Sequence, residues 1–301
     1  MPKPMMYMYL RKKCIKLNGK KPDINEKLCE GDVLRLFIKD EFFEAKPKSR
    51  YYDFMKAPST LDVVYEDENI IIVDKKQGVM VHPDKNYHFD SLVARLKHYL
   101  YLKGEYNPEK EQSFSPAFAN RIDRNTGGLV IGAKNADALR QLNLKIKNRE
   151  IEKLYLCMAH GIFREKEGVL NSYMIKDEKQ NKVKVLNCPK PGSKSMITKY
   201  RVLEEQDDAS LVEVELITGR THQIRAHLAS IGHPLCGDIK YGKKENIDSN
   251  YKYQALYAYK LRFNFKESGS ILDYLNGKIF KADNVNFVMK QGLGCANNYH
   301  V

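Results

Sequence analysis

No two cysteines of this chain stand in Cys-x-x-Cys spacing, and the six present, Cys14, Cys29, Cys157, Cys188, Cys236 and Cys295, are scattered over 301 residues. That speaks against a thiolate zinc site or a disulfide framework, and reduced, mostly buried thiols are the expectation. No apolar run approaches the roughly 20 residues of a membrane-spanning helix. The opening Met1-Pro2-Lys3-Pro4-Met5-Met6-Tyr7 lacks the apolar stretch of a secretory signal, so a cytoplasmic protein is expected. Internal repeats, low-complexity tracts and a glycine-rich phosphate loop of the Walker type are also missing. Acidic residues are in deficit: 38 Asp and Glu against 51 Lys and Arg leave a net charge of +13 and a pI near 9.2. The excess favours phosphate-rich partners, although a solvated lysine-rich surface produces the same number.

The chain is long enough for one large domain and at most one small one. Near the start, Cys14-Ile15-Lys16-Leu17, the turn pair Asn18-Gly19, a second turn at Glu30-Gly31-Asp32 and Val33-Leu34-Arg35-Leu36-Phe37-Ile38 read as two strands. A lysine-, glutamate- and aromatic-rich stretch without periodicity then reads as a linker. From Leu61 onward the elements lengthen. Ile70-Ile71-Ile72-Val73 and Gly128-Leu129-Val130-Ile131-Gly132 are buried-strand runs, with Val79-Met80-Val81 between them. Asn135 caps a helix to about Asn148, with Leu139, Leu142 and Ile146 on one face. Leu154 to Met158 and the alternating Leu211 to Leu216 are further strands. Thr221 to Ile231 is a short amphipathic helix ended by Gly232. Strands outnumber helices without strict alternation, which indicates an α+β fold with a mixed, largely antiparallel sheet and flanking helices.

Three segments carry chemistry. In Asn120-Arg121-Ile122-Asp123-Arg124-Asn125-Thr126-Gly127-Gly128-Leu129, a carboxylate sits between two arginines directly before a buried strand. Nearby positive charge favours the ionised form, suiting a nucleophile or base, while an isolated Arg-x-Asp-Arg is an ordinary surface salt bridge. In Lys153-Leu154-Tyr155-Leu156-Cys157-Met158, a tyrosine interrupts an apolar strand; it offers a stacking face and a hydroxyl, or is simply a core aromatic. Thr218-Gly219-Arg220-Thr221-His222-Gln223-Ile224-Arg225-Ala226-His227 gathers hydrogen-bonding side chains at a strand-to-helix junction, where exposed N–H groups and a dipole end suit a phosphate or carboxylate. The five-residue spacing of His222 and His227 does not fit a zinc-binding helix face.

Together these segments resemble the RluA-type pseudouridine synthases, which act on ribosomal and transfer RNA. Arg121-Ile122-Asp123-Arg124-Asn125-Thr126-Gly127-Gly128-Leu129 is similar to the family's catalytic motif, Lys153-x-Tyr155 to its tyrosine motif, and Gly219-Arg220-Thr221-His222-Gln223-Ile224-Arg225-x-His227 to its arginine motif. Gly232-His233-Pro234-Leu235-x-Gly237-Asp238 with Tyr241-Gly242 continues the match, as do Tyr65-Glu66-Asp67 to Gly78 and Val81-His82-Pro83 upstream. The likeness spans 61–263. It departs at Asn120 (commonly histidine), Ile122 (leucine), Gly127 (frequently serine), Lys75-Lys76-Gln77 (Lys-Pro) and Tyr257 (usually histidine).

The resemblance implies a division into a partial alpha-L-type RNA-binding segment at 1–45 without its usual first helix, a linker at 46–60, a pseudouridine synthase catalytic domain at 61–290 and a tail at 291–301. It implies uridine isomerisation in structured RNA, with large-subunit ribosomal RNA the first expectation and transfer RNA the second. No cofactor, metal or membrane is implied, and a monomer is expected. Asp123 either attacks ribose C1′ or removes the 2′ proton. Arg225 pairs with it, with Arg220 as the fallback, and Tyr155 stacks on the target base and helps transfer the C5 proton. Arg121, Arg124, Arg220 and His222 contact RNA, with Arg121 filling the place of the flipped base. The rival readings are a non-catalytic RNA-binding or ribosome-assembly factor of the same fold and, last, a phosphate-handling small-molecule enzyme resting only on the helix start at Thr221.

Overall fold

A computed structural model describes residues 3–24, 26–39, 52–83, 89–110, 114–177, 182–242, 251–285 and 287–288. The chain divides into two compact units, Met1–Tyr51 and Tyr52–Val301.

The small unit opens with helix α1 (Lys3–Arg11), an element the sequence reading did not expect. Strands β1 (Ile15–Leu17) and β2 (Leu34–Leu36) then pair antiparallel, Ile15 opposite Leu36. Asn18 and Gly19 form the anticipated turn, with Leu17 and Lys20 exchanging backbone hydrogen bonds across it. Residues 46 to 51 of the expected linker lie outside the described residues, as does the tail at 291–301. In the remainder, which belongs to the large unit, a 3-10 turn at Asp53–Lys56 sinks Phe54 and then Ala57 among Leu96, Leu100 and Tyr106, while Met55 and Lys56 stay exposed.

In the large unit, β3 (Val63–Glu66), β4 (Ile70–Lys75), α2 (Leu92–Leu102), β5 (Ala117–Phe118), β6 (Gly127–Ala133), α3 (Ala136–Lys147), β7 (Ile151–His160), β8 (Glu167–Asp177), β9 (Lys182–Leu186), β10 (Lys194–Gln206), β11 (Ala209–Leu216), α4 (Gln223–Ser230), β12 (Leu256–Phe263) and β13 (Ile279–Lys281) follow in order. Among the described residues, eleven strands form one sheet in the order β3-β4-β6-β12-β7-β11-β10-β8-β9, with β5 on β6 and β13 on β12. Every pairing is antiparallel except β6 with β12. The fold is α+β, as expected.

The apolar run in β4 reflects burial on both faces. Ile70 and Ile72 join a core with Leu129, Ile131, Leu142 of α3 and Phe263, while Ile71 and Val73 join another with Val130 and Leu96 and Leu100 of α2. Each such side chain is worth about 1.5–3 kcal/mol on leaving water. A third core holds Tyr155 and Cys157 of β7, Val212 and Val214 of β11, and Ile224 and Leu228 of α4. The thiols are less buried than expected: Cys157 and Cys236 are inside, Cys29 and Cys188 exposed. Val79-Met80-Val81 forms no strand.

At the centre of the sheet, Gly127 and Gly128 pair with Tyr257 and Ala258. Gly128 has φ 114°, and a Cβ there would collide with the Ala258 carbonyl oxygen; one on Gly127 would enter the Tyr257 ring. The glycine pair therefore lets β6 begin against β12, directly after the aspartate loop.

Candidate active site

The loop between β5 and β6 is tied down along its length. Ile122 packs against both the α2-side core and the Tyr155 core, which leaves Arg121 exposed and Asp123 partly open. The Asn120 side chain accepts the Ile131 N–H at 2.8 Å, and the Thr126 N–H closes a turn onto the Asp123 carbonyl at 3.1 Å. From the segment after β4, the Gly78 N–H and the Lys75 ammonium both donate to the Arg124 carbonyl, at 2.9 and 3.0 Å, while the Gln77 amide reaches the Asn125 carbonyl at 3.1 Å. Lys75 is only 1% exposed and also donates to the Val79 and Lys76 carbonyls. Burial pushes its ammonium down to about 7, against the pull of Asp123 and Asp74.

Facing the loop, Arg225 on α4 is shared between two carboxylates. Its Nε and Nη2 donate to Asp238 at 2.7 and 2.8 Å in a bidentate pair, and its Nη1 donates to Asp123 Oδ2 at 3.1 Å. Burial disfavours the guanidinium charge, but Asp238 and then Asp123 outweigh it and hold Arg225 above its ordinary value. Asp238 likewise meets a burial cost, which Arg225 and the Lys240 and Tyr241 N–H groups overcome, holding its carboxyl low. His222 Nε2 lies 3.8 Å from Asp123 Oδ2, and Tyr241 contacts the His222 ring edge-on at 5.7 Å. Tyr155 is 5% exposed on β7; burial first, and Asp123 second, push its hydroxyl well above the usual tyrosine range. A partly open carboxylate thus sits beside a fixed guanidinium and a neutral phenol, an arrangement able to act on an electrophilic carbon or take a proton.

The family model for RNA pseudouridylate synthases matches residues 69–230. The chain belongs to that family, in its RluA-type branch. An RNA pseudouridine synthase of Mycoplasma genitalium, described as uncharacterized, is 38% identical over 85% of this chain and 80% of its own length. The ribosomal large subunit pseudouridine synthase D of Neisseria meningitidis is 30% identical over 89% of this chain and 69% of its own. The solved structure of human RNA pseudouridylate synthase domain containing 4 superposes with a TM-score of 0.60 at 18% identity, covering 80% of this chain and 95% of that one, a likeness of fold. The protein is an RNA pseudouridine synthase, and so an isomerase.

The synthase brings Asp123, Arg225 and His222 together and sets Tyr155 under Asp123's influence. Arg220 donates to the Ser195 carbonyl at 3.1 Å, so the fallback partner for Asp123 is not the one used. Arg124 donates to the Gly78 carbonyl at 3.0 Å and is exposed, as is Arg121. His222, expected on the RNA-contacting side, has a side chain only 9% exposed. The α4 start is also no open polar end, because Gln223 to Leu228 are all buried. Thr218 and the Arg220 N–H donate to the Gln223 side-chain oxygen, and the Gln223 amide binds the Ile197 carbonyl and Thr198 hydroxyl of β10.

Asp238, Tyr241 and Lys75 were missed as site residues. Gly237-Asp238 and Tyr241-Gly242 were visible only as a continuing match, and a carboxylate flanked by glycine and isoleucine gives no local sign that it will clasp an arginine 13 residues earlier.

Proposed function

We propose that this synthase isomerises uridine in large-subunit ribosomal RNA and that Asp123 is the group acting on the target ribose. The observation carrying the reading is the contact of Asp123 Oδ2 with Arg225 Nη1 at 3.1 Å, in a site that also holds the buried Tyr155. Relatives named as ribosomal large subunit synthases support the choice of RNA. The N1–C1′ bond breaks, the base turns, C5 joins C1′, C5 loses a proton and N1 gains one, so no oxidant or reductant is consumed. Asp123 serves either as nucleophile at C1′ or as base toward the 2′ proton. Arg225, fixed by Asp238, orients it.

Tyr155 gives the base a face to stack on, and its raised proton affinity keeps the hydroxyl neutral, which favours stacking and hydrogen bonding over service as a phenolate base. A paired uridine must first leave its stack, at about a few kcal/mol, and exposed Arg121 occupies the vacated space. Arg124 and Arg220 hold RNA backbone. The segment at 1–45 adds RNA contacts to the catalytic domain at 61–290, and the protein works as a cytoplasmic monomer.

The test is pseudouridine mapping of RNA from cells lacking the gene, complemented with wild type or Asp123→Ala. Specific sites should vanish on deletion and return only with wild type. Restoration by the alanine variant removes Asp123 from the chemistry and favours a protein that binds RNA without modifying it.

A further inference from the structure

His222 occupies the N-cap of α4, yet its side chain makes no capping hydrogen bond and its backbone is left-handed, at φ 52° and ψ 22°. A non-glycine residue in that region is strained, and strain of this kind gathers where a side chain must point in one direction. Here the imidazole is turned away from the helix toward Tyr241 on one side and Asp123 on the other.

The hydrogen bonds around Tyr241 fix the imidazole tautomer. The Tyr241 oxygen accepts the Val183 N–H of β9 at 2.8 Å, and the hydroxyl lies 2.9 Å from His222 Nδ1. With its oxygen engaged by a donor, the phenol gives its own proton to Nδ1. A neutral imidazole that accepts at Nδ1 carries its hydrogen on Nε2. That nitrogen is 3.8 Å from Asp123 Oδ2, the oxygen already held by Arg225. We propose that His222 is a positioning residue: oriented by Tyr241, it donates its Nε2–H to Asp123 Oδ2 when RNA closes the site, so that Oδ1 is the oxygen presented to the ribose. This rests on the reading that Asp123 performs the chemistry.

The surroundings favour the neutral ring. Burial lowers the affinity of His222 for a second proton, and Arg225 and Lys240 act in the same direction, while Asp123 and Asp238 oppose them. The gap of 3.8 Å is too long for a hydrogen bond in the free protein, as is common in sites that tighten on binding substrate.

Single-turnover conversion separates the rate at saturating enzyme from the enzyme concentration giving half that rate. The probe is RNA extracted from cells lacking this protein, and the variants are His222→Gly, His222→Gln, Tyr241→Phe and Asp123→Ala. Glycine relieves the left-handed strain, so a merely structural role predicts a folded, fully active His222→Gly. The expected result is instead a saturating rate lower by about 100-fold with the half-saturating concentration unchanged, the scale of a misplaced reacting group. Glutamine, whose amide nitrogen reaches the place of Nε2, should recover about tenfold of that loss, and Tyr241→Phe should fall between glycine and wild type. A wild-type rate for His222→Gly, a defect confined to RNA affinity, or glutamine no better than glycine overturns the proposal. If Asp123→Ala still converts the RNA, the underlying reading falls instead; if it is inert while His222→Gly runs at full rate, this proposal alone falls.

Discussion

Arg225 reaches Asp123 with Nη1 because Asp238 already holds Nε and Nη2, so the aim of the guanidinium is set by a carboxylate that needs no contact with substrate. Removing one partner of a buried pair leaves an uncompensated charge, at about 3–5 kcal/mol. Asp238→Ala should lose stability on that scale in urea unfolding, along with most activity, and a loss under about 1 kcal/mol would mean the pair is already satisfied by water. His227, the last residue of the arginine motif, has a different part. It is 2% exposed, Nε2 meeting the Ser172 hydroxyl at 2.7 Å and Nδ1 the Thr198 hydroxyl at 2.8 Å. Burial pushes its pKa down from 6.5 to about 4. A histidine depressed in the folded state is protonated first in the unfolded one, so its contribution is whole above pH 6.5 and is lost as pH falls toward 4. His227→Gln should remove that part of the acid slope in stability measured between those pH values. The motifs made Asp123, Tyr155 and Arg225 legible as residues, but not His227 as a core group or Asp238 as a partner, because both roles are set by neighbours distant in sequence.

Elements with an unbroken apolar run or a regular apolar period were the legible ones. β4, β6 and β7 stand where apolar runs indicated, since burial on both faces leaves few polar positions to blur the pattern, and α3 stands where the Asn135 cap and one apolar face indicated. By contrast, β8 and β10 alternate exposed and half-buried residues along most of their length, and the reading passed over both. α2 was overlooked although Ser91 caps it, its hydroxyl accepting the Ala94 N–H at 3.3 Å. Two departures from the family pattern meet in one contact: the Tyr257 ring fills the space a side chain at Gly127 would need, and its hydroxyl donates to Asp74 at 2.7 Å. Gly127→Ser alone should therefore cost about 1–3 kcal/mol by overpacking. Combined with Tyr257→His it should cost less than the sum of the single changes, with a coupling of about 0.5–3 kcal/mol in a double-mutant cycle. Strict additivity would show that the two positions differ from the family independently.

Over the whole molecule, a charge of +13 makes association with RNA an exchange of counterions for side chains. Affinity should fall linearly in log–log form with added salt, by about 10³-fold or more between 50 and 200 mM if six or more phosphates are neutralised. The slope also separates the roles of exposed arginines, which affinity at one salt concentration does not. A side chain holding a phosphate releases a counterion, and its removal flattens the slope by about one unit. A side chain filling the place of a flipped base meets neighbouring bases and leaves the counterions where they were. Arg121→Ala should accordingly keep the wild-type slope while lowering the single-turnover rate, as the vacated stack closes again over the uridine before Asp123 can reach it. Filter binding at a series of potassium chloride concentrations checks this. A slope flatter by about one unit with the rate intact would put Arg121 on the RNA backbone and leave the flipped base to be held from the Tyr155 side alone.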